Sequence, residues 1–349
     1  MEFSEVLIDW YQKNHRELPW RTSEDPYYIW LSEIILQQTR VAQGLPYFYR
    51  FTEKYPSVYD LANAPTDEVL KLWQGLGYYS RARNLHTAAK QVVADFDGKF
   101  PENYKDLLSL KGVGPYTAAA IASFAFQLPH AVVDGNVYRV LARYFGVDLP
   151  INRPTGHKYF QKLADEVLNQ KRPDLHNQAI MEFGALQCKP QNPDCHSCPL
   201  SSGCEALKSN TIRELPKKEG KTKVKSEWYH YLVIETPDGI LMNQRKGAGI
   251  WEGLFDFPRI VSSDKISFTD VQNDALWLKM IDNQPFELAP SSQEMKHRLS
   301  HRLLHIQFHR LKLTFTPRFQ GIVVVDPEEL TTFAVPIVIH DWMSSEGLI

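Results

Sequence analysis

The chain has 349 residues, 43% of them hydrophobic and 23% charged, ordinary globular usage that excludes a disordered chain, a collagen-like repeat and a mini-protein. At roughly 150 residues per domain, about two domains are expected. The formal charge is −2, without the basic excess that usually marks a nucleic-acid binder, but it averages a gradient: residues 1–205 carry 21 basic and 23 acidic side chains, 206–225 carry seven and two, and 226–349 carry 11 and 16.

The chain opens on Met1-Glu2-Phe3-Ser4-Glu5, without the basic-then-apolar order of a signal peptide, and holds no apolar run of about 18 residues. An intracellular protein with no membrane partner is expected. Up to residue 205, apolar residues recur at three-to-four spacing, as in Val6, Leu7, Trp10 and Tyr11 or Leu61, Val69, Leu70 and Trp73, which predicts helices. One of them, Ile29 to Thr39, is apolar on nearly all sides and contains Glu33. A carboxylate there loses solvation and gains a raised pKa, as a general acid near neutral pH requires. Alone, it reads as a partly exposed or paired glutamate.

Residues 110–118 read LKGVGPYTA. Gly112, Val113 and Gly114 form a turn whose backbone can approach a DNA phosphate, with the N–H groups of the next helix start behind it. No Gly-Lys-Ser/Thr follows, so it is not a nucleotide P-loop. A helix from Thr117 to Phe126 brings the chain back to Asp134 in Val132-Val133-Asp134-Gly135-Asn136-Val137, where an aspartate is either a helix cap or a functional acid.

All four cysteines, Cys188, Cys195, Cys198 and Cys204, fall in one stretch of 17 residues, which is not how disulfides staple a chain of this size. Their Cys-x6-Cys-x2-Cys-x5-Cys spacing suits either zinc or a [4Fe–4S] cluster. From Lys208 to Lys225 lie seven basic residues and almost no apolar ones, a solvated linker or a DNA-contacting strap. After about residue 228 the period becomes two. Tyr229 to Glu235 alternate, Pro237-Asp238-Gly239 predicts a hairpin turn into Ile240-Leu241-Met242, and further strands are predicted at Ile306 to Phe315 and Ile322 to Val325. The predicted organisation is a helical domain over 1–205, a basic linker over 206–226 and a smaller domain with strands over 227–349.

The Gly-Val-Gly turn, its Gly/Pro surroundings and the aspartate resemble the helix-hairpin-helix DNA glycosylases. More narrowly, RELPWR (16–21), EIILQQTRV (33–41), GLGYYSRARNL (75–85) and VDGNV within 132–137 resemble the MutY-type adenine DNA glycosylases over about 200 residues. That resemblance implies a mainly α N-terminal helix-hairpin-helix glycosylase domain with an iron–sulfur cluster loop, and a smaller α+β Nudix-like C-terminal domain, most visible at GIWEGLFDFP (249–258). It implies a monomer, located with DNA, that removes adenine mispaired with 8-oxoguanine or guanine, and a [4Fe–4S] cluster on the four cysteines. Relatives with lyase activity carry a lysine where Tyr116 stands, and tyrosine cannot form a Schiff base. The resemblance therefore implies a monofunctional enzyme, against the alternatives of a glycosylase/lyase or a non-enzymatic lesion-binding module.

Residue by residue, it implies Glu33 as general acid, Asp134 as the acid that stabilises an oxocarbenium-like sugar or traps it, and Tyr116 and Asn136 as their orienting groups. Arg16, Leu18, Trp20, Leu36 and Gln178 would line the adenine pocket, although Trp20 alone reads as a core aromatic and Gln178 stands where some relatives have glutamate. Gln38, Thr39 and Tyr78 would probe the opposite base. Leu299-Ser300-His301 matches a Phe-Ser-His triplet that reads 8-oxoguanine in relatives. Without the resemblance, this His-rich stretch reads as an amphipathic surface strand. The only stretch that begins like a Nudix catalytic helix, Arg213 to Lys218, has lysines at the metal-binding positions and Pro216 in its course, so nucleotide hydrolysis is not expected.

Overall fold

The computed structural model describes residues 2–220, 224–247, 249–281 and 284–349. The chain divides into two compact units, Met1–Asn63 with Asn84–Gly220, and Ala64–Arg83 with Lys221–Ile349. Among the described residues, no helix is long and apolar enough to cross a membrane.

The first unit is helical: α1 (Phe3–Asn14), α2 (Pro26–Leu36), α3 (Val41–Lys54) and α4 (Val58–Asn63) precede the exchange with the second unit, which takes α5 (Thr66–Leu72) and the start of α6 (Ser80–Phe96). There follow α7 (Tyr104–Ser109), α8 (Pro115–Phe126), α9 (Gly135–Phe145), α10 (Pro154–Val167), α11 (Pro173–Leu186) and the short α12 (Glu205–Lys208). α2 and α8 are apolar on nearly every side and pack on each other, as helices without a polar face must. The start of α2 is fixed by the Asp25 carboxylate, which accepts the Tyr27 N–H at 2.8 Å, with Pro26 in the first turn. α11 packs on α1, α8 and α9. Its approach to α9 depends on Gly184, where a Cβ would fall 2.7 Å from Asn136 Cβ and 2.9 Å from the Asn136 carbonyl oxygen.

The expectation of a solvated linker is corrected for the part of the basic strip that belongs to this unit. Leu215 is buried in the helical core, Arg143 Nε donates to its carbonyl at 3.1 Å, and Ile151 N donates to the Lys217 carbonyl at 3.0 Å. Glu219 pairs with Arg153 at 2.9 Å and accepts Asn152 Nδ2 on its carbonyl at 2.7 Å. Apolar Leu215 and a series of backbone acceptors outweigh the charges around them. Lys221, Thr222 and Lys223 lie outside the described residues.

In the second unit, β1 (Lys225–Thr236), β2 (Gly239–Gln244), β3 (Phe255–Asp256), β4 (Arg259–Ser262), β5 (Phe286–Leu288), β6 (Met295–Arg298), β7 (Arg302–Leu313) and β8 (Ile322–Val325) form one sheet with the path β3-β2-β1-β7-β5. The central β1 and β7 run parallel, and the other pairs are antiparallel. The predicted hairpin is present, with Thr236 opposite Gly239 and only Pro237 and Asp238 between them. The period of two in β1 does not separate an inner from an outer face, because Tyr231, Leu232, Val233 and Ile234 are all fully buried. Both faces are covered, as a central parallel pair requires. Leu232, Ile234, Leu241 and Leu311 pack with Trp277 and Met280 of α14 (Ala275–Met280), which follows α13 (Phe268–Gln272). Phe308 stacks on Trp342 of α15 (Ile337–Ser345) at 4.1 Å, and the Tyr231 ring lies 5.3 Å from Phe308.

Candidate active site

Glu33 is the one charged residue of α2 and is 8% exposed. Its pKa is pushed up to about 7, chiefly by burial and also by Asp134, against a hydrogen bond from Tyr116 and the charge of Arg21. Tyr116, in the first turn of α8, is held well above its ordinary value by burial and by Glu33 and Asp134, so its hydroxyl keeps its proton. The phenol therefore donates to the Glu33 carboxyl. It lies 3.8 Å from Met181 Sδ as well.

Asp134 is the N-cap of α9. Its Oδ1 accepts Asn136 N and Val137 N, and its Oδ2 accepts Asn136 Nδ2, each at 2.8 Å. The capping role and a place beside Glu33 are thus not alternatives; this residue has both. Burial raises its pKa, against the three hydrogen bonds and Arg139. The two acids are not displaced in opposite directions, as paired roles alone would suggest, because burial acts on both. They differ in partners: Asp134 accepts three N–H groups that favour its charged form, whereas Glu33 accepts the Tyr116 phenol. Asn136 Oδ1 in turn accepts Arg139 Nη2 at 2.8 Å, and Arg139 Nε donates to the Cys188 carbonyl at 2.7 Å.

A second cluster involves residues that sequence reasoning did not single out. Glu182 of α11, 1% exposed, accepts Arg16 N, Nε and Nη2 at 2.9, 2.8 and 2.6 Å, and Arg21 Nη2 at 2.7 Å. These partners hold its pKa down at about 2 despite burial. One turn earlier, Gln178 Oε1 accepts the Tyr11 hydroxyl at 2.5 Å, and the Arg21 guanidinium lies 5.6 Å from the Tyr11 ring centre. The available signal for Glu182 was the one used for Glu33, a single carboxylate in an apolar helical stretch. Trp20 and Leu18 are each 8% exposed, and Trp20 packs edge-on to Phe48 at 5.1 Å. Leu36 is half-buried at the end of α2.

The predicted turn connects α7 to α8. Gly112 has φ +77°, and a Cβ there would sit 2.7 Å from Asn84 Cβ. Val113 is buried, with its N–H donating to the Leu110 carbonyl at 3.1 Å, and Gly114 caps α8 without a side chain. Gln38 is exposed and left-handed at φ 57°, a conformation costly for a non-glycine residue, while Thr39 is half-buried.

In the second unit Tyr78, left-handed at φ 49° and 51% exposed, bonds through its hydroxyl to Ser300 Oγ at 2.5 Å. The two stand in a cavity of about 450 Å³, lined also by Arg83, Trp251, Leu299 and His301. Residues 299–301 are the turn between β6 and β7, closed by Leu299 N donating to Arg302 O at 2.8 Å, and not part of a strand. The fold thus brings together two groups, Tyr78 and Ser300, that stand 222 residues apart in sequence.

The four cysteines are free and half-buried. Burial, with smaller contributions from Cys188, Cys195 and Cys204, pushes the Cys198 thiol up to about 11. Arg143 Nη1 donates to Cys188 Sγ at 3.4 Å and to the Lys189 carbonyl at 2.7 Å. The donor chemistry suits a thiolate-held group, and a cation stands beside it. Yet among the described residues no three or more His, Cys, Asp or Glu side chains are gathered as a metal site.

Residues 31–169 match the HhH-GPD superfamily of base excision DNA repair proteins, and residues 230–345 match the Nudix domain. The chain is 36% identical over 311 residues to the adenine DNA glycosylase of Buchnera aphidicola subsp. Baizongia pistaciae, covering 87% of this chain and 84% of that one. It is 35% identical over 312 residues to the adenine DNA glycosylase of Homo sapiens, covering 74% and 57%. Among solved structures, a thermostable thymine-DNA glycosylase matches with a TM-score of 0.56 at 33% identity, over 59% of this chain and 95% of that one. With these relatives, and with a buried acid beside a phenol and a capping aspartate, the chain belongs to the adenine DNA glycosylase family, within the HhH-GPD superfamily of base excision DNA repair proteins.

Proposed function

We propose that this protein is a monofunctional adenine DNA glycosylase that excises adenine mispaired with 8-oxoguanine or guanine in duplex DNA. The observation that carries this reading is Glu33: buried, titrating at about 7, and neighboured by Tyr116 and Asp134. An acid of that pKa holds a proton near neutral pH and can release it to a base. The target nucleotide first leaves the stack, at a cost of a few kcal/mol. Glu33 then gives its proton to a ring nitrogen of the adenine. The electron pair of the N-glycosidic bond departs with the base, and C1′ develops oxocarbenium character. Asp134, with three N–H groups favouring its carboxylate, stabilises that cation or bonds to it. Water completes the hydrolysis at C1′ and returns a proton to Glu33.

Tyr116 supplies no amine, so the strand stays intact. Arg16, Leu18, Trp20, Leu36 and Gln178 shape the adenine pocket; Gln38 and Thr39 face the opposite base; and the backbone of Gly112, Val113 and Gly114 takes a DNA phosphate. The second unit's cavity supports a role in reading the opposite base, since Tyr78 and Ser300 present hydroxyl groups in it. Oxidation of guanine turns N7 from acceptor to donor, which a hydroxyl can detect. Cys188, Cys195, Cys198 and Cys204 would hold the [4Fe–4S] cluster, which when bound ties the loop from Cys188 to Cys204 together; no step above passes through it.

Single-turnover assays on duplexes with adenine opposite 8-oxoguanine or guanine test the reading. Adenine release that exposes an alkali-labile site without spontaneous strand cleavage is expected, with loss of release in Glu33→Gln and reduced discrimination between the duplexes in Ser300→Ala. No adenine release, or an unchanged rate in Glu33→Gln, overturns it. A covalent adduct trapped by borohydride would favour the glycosylase/lyase alternative.

A further inference from the structure

Glu182 ties two arginines into one cluster: its buried carboxylate receives four hydrogen bonds, three from Arg16 and one from Arg21, which fill its acceptor sites. Arg21 Nη1 in addition donates to the Arg16 carbonyl at 3.0 Å, so the two guanidinium groups and the carboxylate form a closed unit with one net positive charge. Arg16 is partly open at 39% side-chain exposure, whereas Arg21 is 15% exposed. The short turn Pro19–Arg21, which carries Arg21, packs on α2, which carries Glu33.

We propose that Glu182 is a positioning residue for the glycosylase reaction: by clamping Arg21 and Arg16 it fixes the position and the effective charge of the Arg21 guanidinium, on the turn that packs against the helix of Glu33. This rests on Glu33 being the general acid. The charged and titratable groups acting on Glu33 are Tyr116 from α8, Asp134 from the α9 cap and Arg21 from the short turn. Of these only Arg21 is cationic, and its charge is partly neutralised by Glu182. An unclamped Arg21 would drain the proton from Glu33 by favouring its carboxylate, and an absent Arg21 would hold that proton too tightly to transfer. The clamp sets an intermediate value.

The test is the pH dependence of single-turnover adenine release by the full chain on a duplex with adenine opposite guanine. The rate falls on the alkaline side as Glu33 loses its proton. Glu182→Gln is expected to move that inflection down by roughly half to one pH unit, since the Arg21 charge is then no longer balanced by a carboxylate. Arg21→Gln is expected to move it up by a similar amount, since a cation has been lost. A merely structural role predicts lower melting temperatures and a smaller active fraction with inflections superimposable on that of the unaltered protein, and that result overturns the proposal, as do shifts of both variants in one direction. If Glu182→Gln does not fold, Arg21→Gln decides alone: an inflection that stays or falls refutes the clamp. Glu33→Gln in the same assay separates the two ideas, because retained adenine release there refutes the general-acid reading itself.

Discussion

Glu33 should lower the stability of the protein while making it active. Its folded-state pKa of about 7 stands above the ordinary 4.5 of an unfolded glutamate, so the folded state holds the proton more tightly. The associated stability is complete below pH about 4.5 and is lost as the pH rises through about 7. At about 1.4 kcal/mol per pKa unit, the buried carboxylate costs about 3 kcal/mol at pH 8 and about 1 kcal/mol at pH 5. Glu33→Gln keeps the shape and removes the charge. It should abolish adenine release and raise the stability of the helical unit by about 3 kcal/mol at pH 8, roughly 6–12 °C in Tm for a unit of this size. At pH 5 the gain should shrink to about a third. Thermal unfolding followed by far-ultraviolet circular dichroism at the two pH values measures this. An equal shift at both, or a fall at pH 8, would show that desolvation does not dominate at Glu33.

Tyr116→Phe removes a hydrogen bond to a charged acceptor worth about 1.5–3 kcal/mol, so the alkaline inflection of adenine release should rise by about one to two pH units; a fall would falsify the assigned donor direction. In the second unit, His230 Nδ1 and His309 Nε2 meet at 3.0 Å, and burial lowers His309 to about 4 and depresses His230 too. Stability from the neutral His309 is present above pH about 6.5 and lost, by about 3 kcal/mol, as the pH falls to about 4. Hydrogen exchange in β1 and β7, corrected for intrinsic rate, should therefore speed up between pH 7 and 5, and constant protection would refute it. Gly112→Ala should destabilise by about 1 kcal/mol or more, given φ +77° and the contact with Asn84, whereas Gly114→Ala, at φ −93° with nothing within 4 Å, should be milder in chemical denaturation. Equal losses would place the constraint elsewhere.

Much of this protein is written in local patterns. The all-apolar helix with one carboxylate, the Gly-Val-Gly turn before a small-residue helix, Asp134 ahead of Gly135, and the Pro237-Asp238 hairpin each depend on residues within a few positions of each other. Sequence alone therefore determined the helical body, the later strands and the two acids of the candidate site. What it could not show depends on residues far apart. Leu215 turns a basic strip into packed structure because Arg143 finds its carbonyl, and β1 is buried on both faces because helices cover them. Glu182 meets Arg16 and Arg21 only when α11 returns beside the segment that holds them, and residues 64–83 join the second unit, bringing Tyr78 to Ser300. Burial and electrostatic coupling are properties of what surrounds a group, so local spacing could identify Glu33 as a candidate, and only the packed fold decided its pKa and its partners.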